Sequence, residues 1–284
     1  MKIKKIIPAI TGVLAVFAFA FVAYAATNVI YPGNQQGWAF FDDNGNGGSG
    51  LFVNGPTTPP LGVGSAQLSV SASNQGYALG ESAFAGTKLA DLTTLSYWTY
   101  QNPSNVSNAT AIALQLNVDK DVTDTDNTWQ GRIVYEPYVN NGGTVPLGTW
   151  TKWDALNGGN ANWWFTKSST VFGGNCPQSA PCTLSQIITL YPNIGIHPTL
   201  GQVIFKAGSG WSSFSGNVDD FTIGSNGTDT TYDFEAQAPL ISPTNKDECK
   251  DGGWQTFNNP VFKNQGDCVS YVQSNAHAIG NKTK

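Results

Sequence analysis

Residues 203–235 read V-I-F-K-A-G-S-G-W-S-S-F-S-G-N-V-D-D-F-T-I-G-S-N-G-T-D-T-T-Y-D-F-E. Apolar and polar residues alternate in short runs, at Val203/Phe205, Val218, Phe221/Ile223 and Tyr232/Phe234, and Gly, Ser and Asn separate the runs. A period of two bounded by turn residues describes half-buried strands of an antiparallel sheet. A sheet with one apolar face must bury it, and no long helical pattern upstream offers a cover, so the cover is a second sheet. The expected fold is all-β: an antiparallel β-sandwich with a small, partly helical appendage.

Composition supports this and excludes several functions. Charged residues make up 12% of the 284-residue chain, against about 25% in an average globular protein. The 32 glycines and a 12% aromatic share suit a turn-rich β-protein. Net charge is −5, and no Lys/Arg block follows residue 5, so nothing supplies the basic surface that nucleic acid requires.

The first 25 residues read as a signal peptide. Lys2, Lys4 and Lys5 precede an apolar run from Ile6 to Phe21, and Ala23-Tyr24-Ala25 supplies small residues at a cleavage site. The competing reading is an uncleaved anchor, since Ile6–Ala26 is long enough to cross a bilayer. Pro8 and Gly12 suit a spanning helix poorly. On either reading the body lies outside the cytoplasm, secreted or at the cell surface, and contacts a membrane only if the segment is retained.

Four cysteines in an exported chain imply two disulfides, for which three connectivities exist. Local pairing, Cys176 with Cys182 and Cys249 with Cys268, is the expected one. Neither pair has the C-x-x-C spacing of a zinc site. The composition of A-Q-A-P-L-I-S-P-T-N marks a linker, so the expected organisation is a sandwich over 26–238 and a Cys-paired module over 239–284. Within the module, two short helices are expected between Asn245 and Ser274.

Two acidic loops raise calcium as a possible cofactor. Asp42, Asn44, Asn46 and Gly47 match the first half of a calcium loop, but Val53 stands where the closing Glu belongs. Asp121, Asp124 and Asp126 cluster with Asp119 in a second loop. Ordinary turn chemistry competes with calcium at both.

Candidate ligand-binding residues come from one hairpin and two tryptophans. Along 111–119, Ile112, Leu114, Leu116 and Val118 alternate with Gln115, Asn117 and Asp119. Along 131–138, Ile133 and Tyr135 alternate with Arg132, Val134 and Glu136. One face of the pair therefore gathers Gln115, Asn117, Asp119, Arg132 and Glu136, either as a solvated outer surface or as a concave sugar-binding face. Trp150, Trp153, Trp163 and Trp164 follow, and at least half are expected in the core. Trp164 and Trp211, in Gly/Ser/Asn surroundings, are the candidates for stacking on sugar.

G-T-W-T-K-W followed by G-N-V-D-D-F-T-I resembles strands of laminin G-like and concanavalin-like jelly rolls, including carbohydrate-binding modules. W-Q-G-R-I-V-Y-E-P-Y, N-C-P-Q-S-A-P-C-T and T-Y-D-F-E resemble segments of uncharacterised exported bacterial proteins, and the tail from Cys249 is similar to a short Cys-paired module found at the ends of other secreted proteins. The resemblance implies a fold and a compartment. Jelly-roll glycosidases carry an E-x-D-x-x-E strand that this chain lacks, and no G-x-S-x-G elbow occurs. Among four glutamates only Glu136, paired with Asp119 across the hairpin, offers two carboxyls for hydrolysis. A non-catalytic glycan-binding protein is the expectation, with a structural or adhesive protein contacting another surface protein, and a hydrolase using Glu136, as its rivals.

Cleavage predicts that the exported protein begins at Ala26. Intact-mass measurement should give the mass of residues 26–284 with all four cysteines oxidised, whereas a mass that includes residues 1–25 would identify an anchor.

Overall fold

A computed structural model describes residues 26–274; the N-terminal segment expected to be a signal peptide and His277 lie outside them. Among the described residues fifteen strands run in chain order: β1 (Ala26–Ile30), β2 (Ala39–Asp42), β3 (Ser49–Asn54), β4 (Gly64–Val70), β5 (Gly76–Glu81), β6 (Leu92–Gln101), β7 (Ala113–Asp119) and β8 (Arg132–Tyr135). Then come β9 (Trp150–Asp154), β10 (Asn162–Phe165), β11 (Cys182–Thr183), β12 (Gly195–Ile196), β13 (Val203–Gly208), β14 (Phe214–Ser225) and β15 (Thr228–Phe234). They form two sheets, a seven-stranded one around β14 and an eight-stranded one ordered β11-β10-β8-β7-β13-β5-β2, with β12 also on β7. The protein is a β-sandwich of the jelly-roll class, with disulfides Cys176–Cys182 and Cys249–Cys268.

The opening stretch supplies both sheets. β13 carries Val203 and Phe205 into the core from the eight-stranded sheet, while β14 and β15 bring Phe221, Tyr232 and Phe234 from the other. Trp38, 1% exposed, fills the space between. Its ring stacks on Phe205 at 5.7 Å and meets Phe221, Tyr232 and Phe234 edge-on at 5.1–5.9 Å. Such offset and edge geometries each add about 0.5–1.5 kcal/mol beyond area burial.

The twelve-residue β14 pairs with β6 along one edge and divides its other edge between β4 and β15. The division falls at Asp219-Asp220, where the register with β6 shifts and Asp220 takes a φ of 47°. A β-bulge re-aims a strand and leaves backbone groups to satisfy. Asp219 does so, accepting from the Phe234 N–H at 3.0 Å and the Leu61 N–H at 3.1 Å. Burial pushes its carboxyl up to about 8 despite these hydrogen bonds.

The structure departs from the sequence reading at the first strand and in the helices. β1 pairs with β15 in parallel, because it arrives from outside the hairpin meander. The first expected C-terminal helix is a set of turns ending in a single 3-10 turn at Gly253–Gln255, since Gly252 and Gly253 interrupt any helical run. Only the second helix forms, over Gln265–Gln273, capped by Asn264 and carrying the buried Cys268. A further helix at Leu184–Leu190, begun by a Thr183–Gln186 capping box, was hidden by its length of seven residues. Among the described residues no helix is long and apolar enough to cross a membrane.

Cys249, Phe257, Phe262 and Cys268 form an apolar cluster separate from the sandwich core. So small a cluster depends on its covalent staple, worth about 3 kcal/mol for a loop of this size in the chain-entropy model. Cys268→Ser should unfold the tail alone. Limited proteolysis should then trim the variant to a stable fragment ending near Ala238. Degradation of the whole chain would show that the tail and the sandwich form one folding unit.

Candidate functional site

Sheet geometry turns alternate side chains of the eight-stranded sheet away from the core and into one groove. Cross-strand register sets Trp164 of β10 beside Val134 of β8, Val134 beside Gln115 of β7, and Gln115 beside Ile204 of β13. Two residues further along β13, Lys206 faces Ala113. Loop residues close the ends, and the hollow has a volume of about 770 Å³. Its lining includes Gln115, Arg132, Glu136, Trp164, Lys206 and Trp211.

The floor is organised by charge. Asp43, just past β2, receives both terminal nitrogens of Arg132, at 2.6 and 2.9 Å, and Lys206 Nζ on the same carboxylate. Burial raises the Asp43 pKa, but hydrogen bonds from Arg132 and Lys206 outweigh it and hold the carboxyl below its usual value. Arg132 spends two of its other donors on Asn117 Oδ1 at 2.9 Å and Gln115 Oε1 at 3.2 Å. The guanidinium is thereby held by four hydrogen bonds to three side chains.

At one wall, Trp164 Nε1 donates to Glu136 Oε2 at 2.9 Å and Gln178 Nε2 donates to the same oxygen at 3.3 Å. The Cys176–Cys182 disulfide closes the short loop that brings Gln178 there. Glu136 is 8% exposed, and burial raises its pKa above the ordinary carboxylate value against the hydrogen bonds of Gln178, Trp164 and Tyr138. At the other wall Trp211, in the β13–β14 connection, rests on Phe214 with ring centroids 4.8 Å apart. Trp164 and Trp211 are both half-buried, whereas Trp153 and Trp163 lie in the core.

Five of the six sequence-selected residues therefore line one groove: Gln115, Arg132, Glu136, Trp164 and Trp211. Asn117 is the exception; it orients Arg132 from beneath while its own amide donates to the Leu200 carbonyl at 2.8 Å. The strip is not a solvated surface, since Gln115, Asn117 and Glu136 are all buried. Sequence reasoning missed Asp43, absorbed into an Asp-Asp turn; Lys206, whose alternation with Phe205 placed it outward; and Gln178, inside the Cys loop.

Register overturns the pairing of Glu136 with Asp119. Leu114 faces Tyr135, so Glu136 falls opposite Ala113, while Asp119 pairs with Gly195 at the far end of β7. Six residues of strand separate them by about 20 Å. His197 is equally committed: Nδ1 accepts from the Thr199 and Leu200 N–H groups at 3.1 Å each, and Nε2 donates to the Thr128 carbonyl at 3.1 Å.

The acidic loops are built as turns. Asp42 accepts N–H groups from Asn44, Gly45 and Gly47, and the Gly47 bond is the chief cause lowering its pKa. The Asn44 amide donates to the Asn74 carbonyl and the Asn46 amide to the Asn44 carbonyl. Asp121, Asp124 and Asp126 accept from the N–H groups of Thr123, Asp126 and Thr128. These oxygens face N–H donors, not a common centre, and among the described residues no group of three or more His, Cys, Asp and Glu side chains is placed to hold a metal.

No protein-family model and no curated protein matches the chain. Among solved structures it is similar to the family 11 carbohydrate-binding module from Clostridium thermocellum in complex with a β-1,3-1,4-mixed-linked tetrasaccharide, at 13% identity and a TM-score of 0.38 over 68% of this chain and 91% of that one. A second structure, the family 11 module of the Clostridium thermocellum cellulosomal cellulase Lic26A-Cel5E, gives 13% identity and 0.38 over 71% and 91%. The enzymatically active domain of bacteriophage CBA120 tailspike protein 4 gives 12% and 0.33 over 70% of this chain and 20% of that one. Likeness at these scores carries no functional argument, which rests on the groove.

Asp43 should prove indispensable to the groove. Asp43→Ala leaves Arg132 and Lys206 facing each other with little solvent, and breaking such a buried set costs about 3–5 kcal/mol. Thermal unfolding should show a fall of several degrees, while an unchanged Tm would mean that the ion cluster does not hold the floor together.

Proposed function

We propose that the protein is a non-catalytic, exported β-sandwich that binds glycan in the groove of its eight-stranded sheet. The observation that carries this reading is the placement of two half-buried indoles, Trp164 and Trp211, on the lining of one hollow whose floor is a locked array of polar groups. A sugar ring offers an apolar face to stack on an indole and a rim of hydroxyls to hydrogen-bond. Gln115, Arg132, Glu136, Gln178 and Lys206 supply donors and acceptors for that rim. Fixing them before the ligand arrives reduces the ordering cost of binding.

Two disulfides and the N-terminal segment support an extracellular or cell-surface location. Hydrolysis is the reading that Glu136 keeps open, because a buried carboxyl with a raised pKa is the profile of a general acid. A glycosidase also needs a second carboxyl free to act as base or nucleophile. The other carboxylate lining the groove is Asp43, and it is tied to Arg132 and Lys206.

A glycan array followed by calorimetry tests the reading. Saturable binding to at least one neutral glycan is expected, with Trp164→Ala and Trp211→Ala each weakening it about tenfold, or roughly 1.4 kcal/mol. Binding to proteins but to no sugar would favour the adhesive alternative. Shortening of the bound glycan by wild type but not by Glu136→Gln would make the protein a hydrolase.

A further inference from the structure

Beyond one end of the groove lies a second hollow of about 770 Å³, lined by Lys120, Asp121, Asp126, Lys167, Thr170 and Tyr191 among others. Trp129 borders both hollows. Its side chain is 46% exposed, an unusual position for the largest apolar residue.

The exposed ring is held from every side of its backbone. The preceding carbonyl, of Thr128, accepts from His197 Nε2. The following residue, Gln130, is buried and bonds through its side chain to the Lys120 N–H and to Asp119. The Trp129 carbonyl accepts from Lys167 Nζ at 3.0 Å, and the same ammonium sits 4.4 Å from the ring centroid in a cation–π contact. The turns at Asp121, Asp124 and Asp126 stiffen the loop that leads to it. A rigid, partly exposed indole at the junction of two polar hollows has the chemistry that Trp164 and Trp211 offer within the groove.

Taking the glycan reading as its premise, we propose that Trp129 is a third stacking platform, which carries an oligosaccharide out of the groove and into the second hollow. Each hollow alone has the volume of a pocket for one small ligand, so contact with both requires a chain. The protein then selects polymeric or long oligomeric glycan over single sugars. Charge narrows the class further: Asp121, Asp124 and Asp126 outnumber Lys120 and Lys167 in the second hollow, so a neutral polymer is favoured over a uronic acid polymer.

Calorimetry with neutral β-glucan and xylan oligosaccharides, graded from disaccharide to octasaccharide, decides this, with polygalacturonate as the acidic comparison. Wild-type affinity is expected to rise in two stages with chain length. Trp129→Ala should remove the second stage, about tenfold for the octasaccharide, and weaken the short oligomers less. Thr170→Trp, which fills the second hollow and keeps the Trp129 side chain, should do the same. Affinity that stops rising within the groove, or an equal loss for short and long chains in Trp129→Ala, overturns the proposal while the glycan reading stands. Preferential binding of polygalacturonate overturns the charge assignment. Absence of binding at every length overturns the glycan reading and this proposal together.

Discussion

The contact of Trp38 with Phe205 on one side and with Phe221, Tyr232 and Phe234 on the other joins the two sheets. Neither sheet can be stable by itself, because each has an apolar face that only the other covers. Truncating a buried aromatic of this kind costs about 3–5 kcal/mol, a large part of the roughly 5–15 kcal/mol that holds a domain folded. The groove on the outer face of the eight-stranded sheet depends on that closure. With Phe205 fixed against Trp38, its neighbour Lys206 points outward, and the same parity orders Gln115, Arg132 and Trp164 on neighbouring strands.

The groove face illustrates how a sheet pays for polarity. Arg132 and Lys206 share the single carboxylate Asp43, and Asn117 and Gln115 absorb two of the three remaining guanidinium donors. Such a network is costly if any member is missing and rigid when complete. Rigidity is what recognition of a hydroxyl-rich ligand needs, since few of these side chains must be ordered on binding. The Cys176–Cys182 loop extends the principle to Gln178, which a covalent link holds against Glu136 and Trp164.

Much of this was legible in the chain. Strict alternation at Ile112–Asp119 and Arg132–Glu136 set the inward and outward faces, because strand parity is a local property. Trp164 and Trp211 were singled out on a different ground, their Gly, Ser and Asn surroundings. What could not be read was register over distance. Asp119 and Glu136 shared a predicted face yet stand at opposite ends of the hairpin, because the intervening loop is long and its turns decide the pairing. Asp43 and Trp129 were missed for a related reason: each lies in a loop, where no periodicity assigns a direction. The isolated indole in an Asp- and Thr-rich loop was a signal that parity arguments do not use.

In the proposed site Trp164 and Trp211 meet the ligand while Trp38, Trp153 and Trp163 serve the core. Indole N–H resonances in a nitrogen-15 spectrum report each of these rings separately. On titration with an oligosaccharide that the protein binds, the Trp164 and Trp211 signals should shift together and saturate at the calorimetric dissociation constant, with Trp38, Trp153 and Trp163 unmoved. Shifts confined to other tryptophans, or a saturable binding that leaves Trp164 and Trp211 unchanged, would place the binding site elsewhere on the molecule and contradict the account.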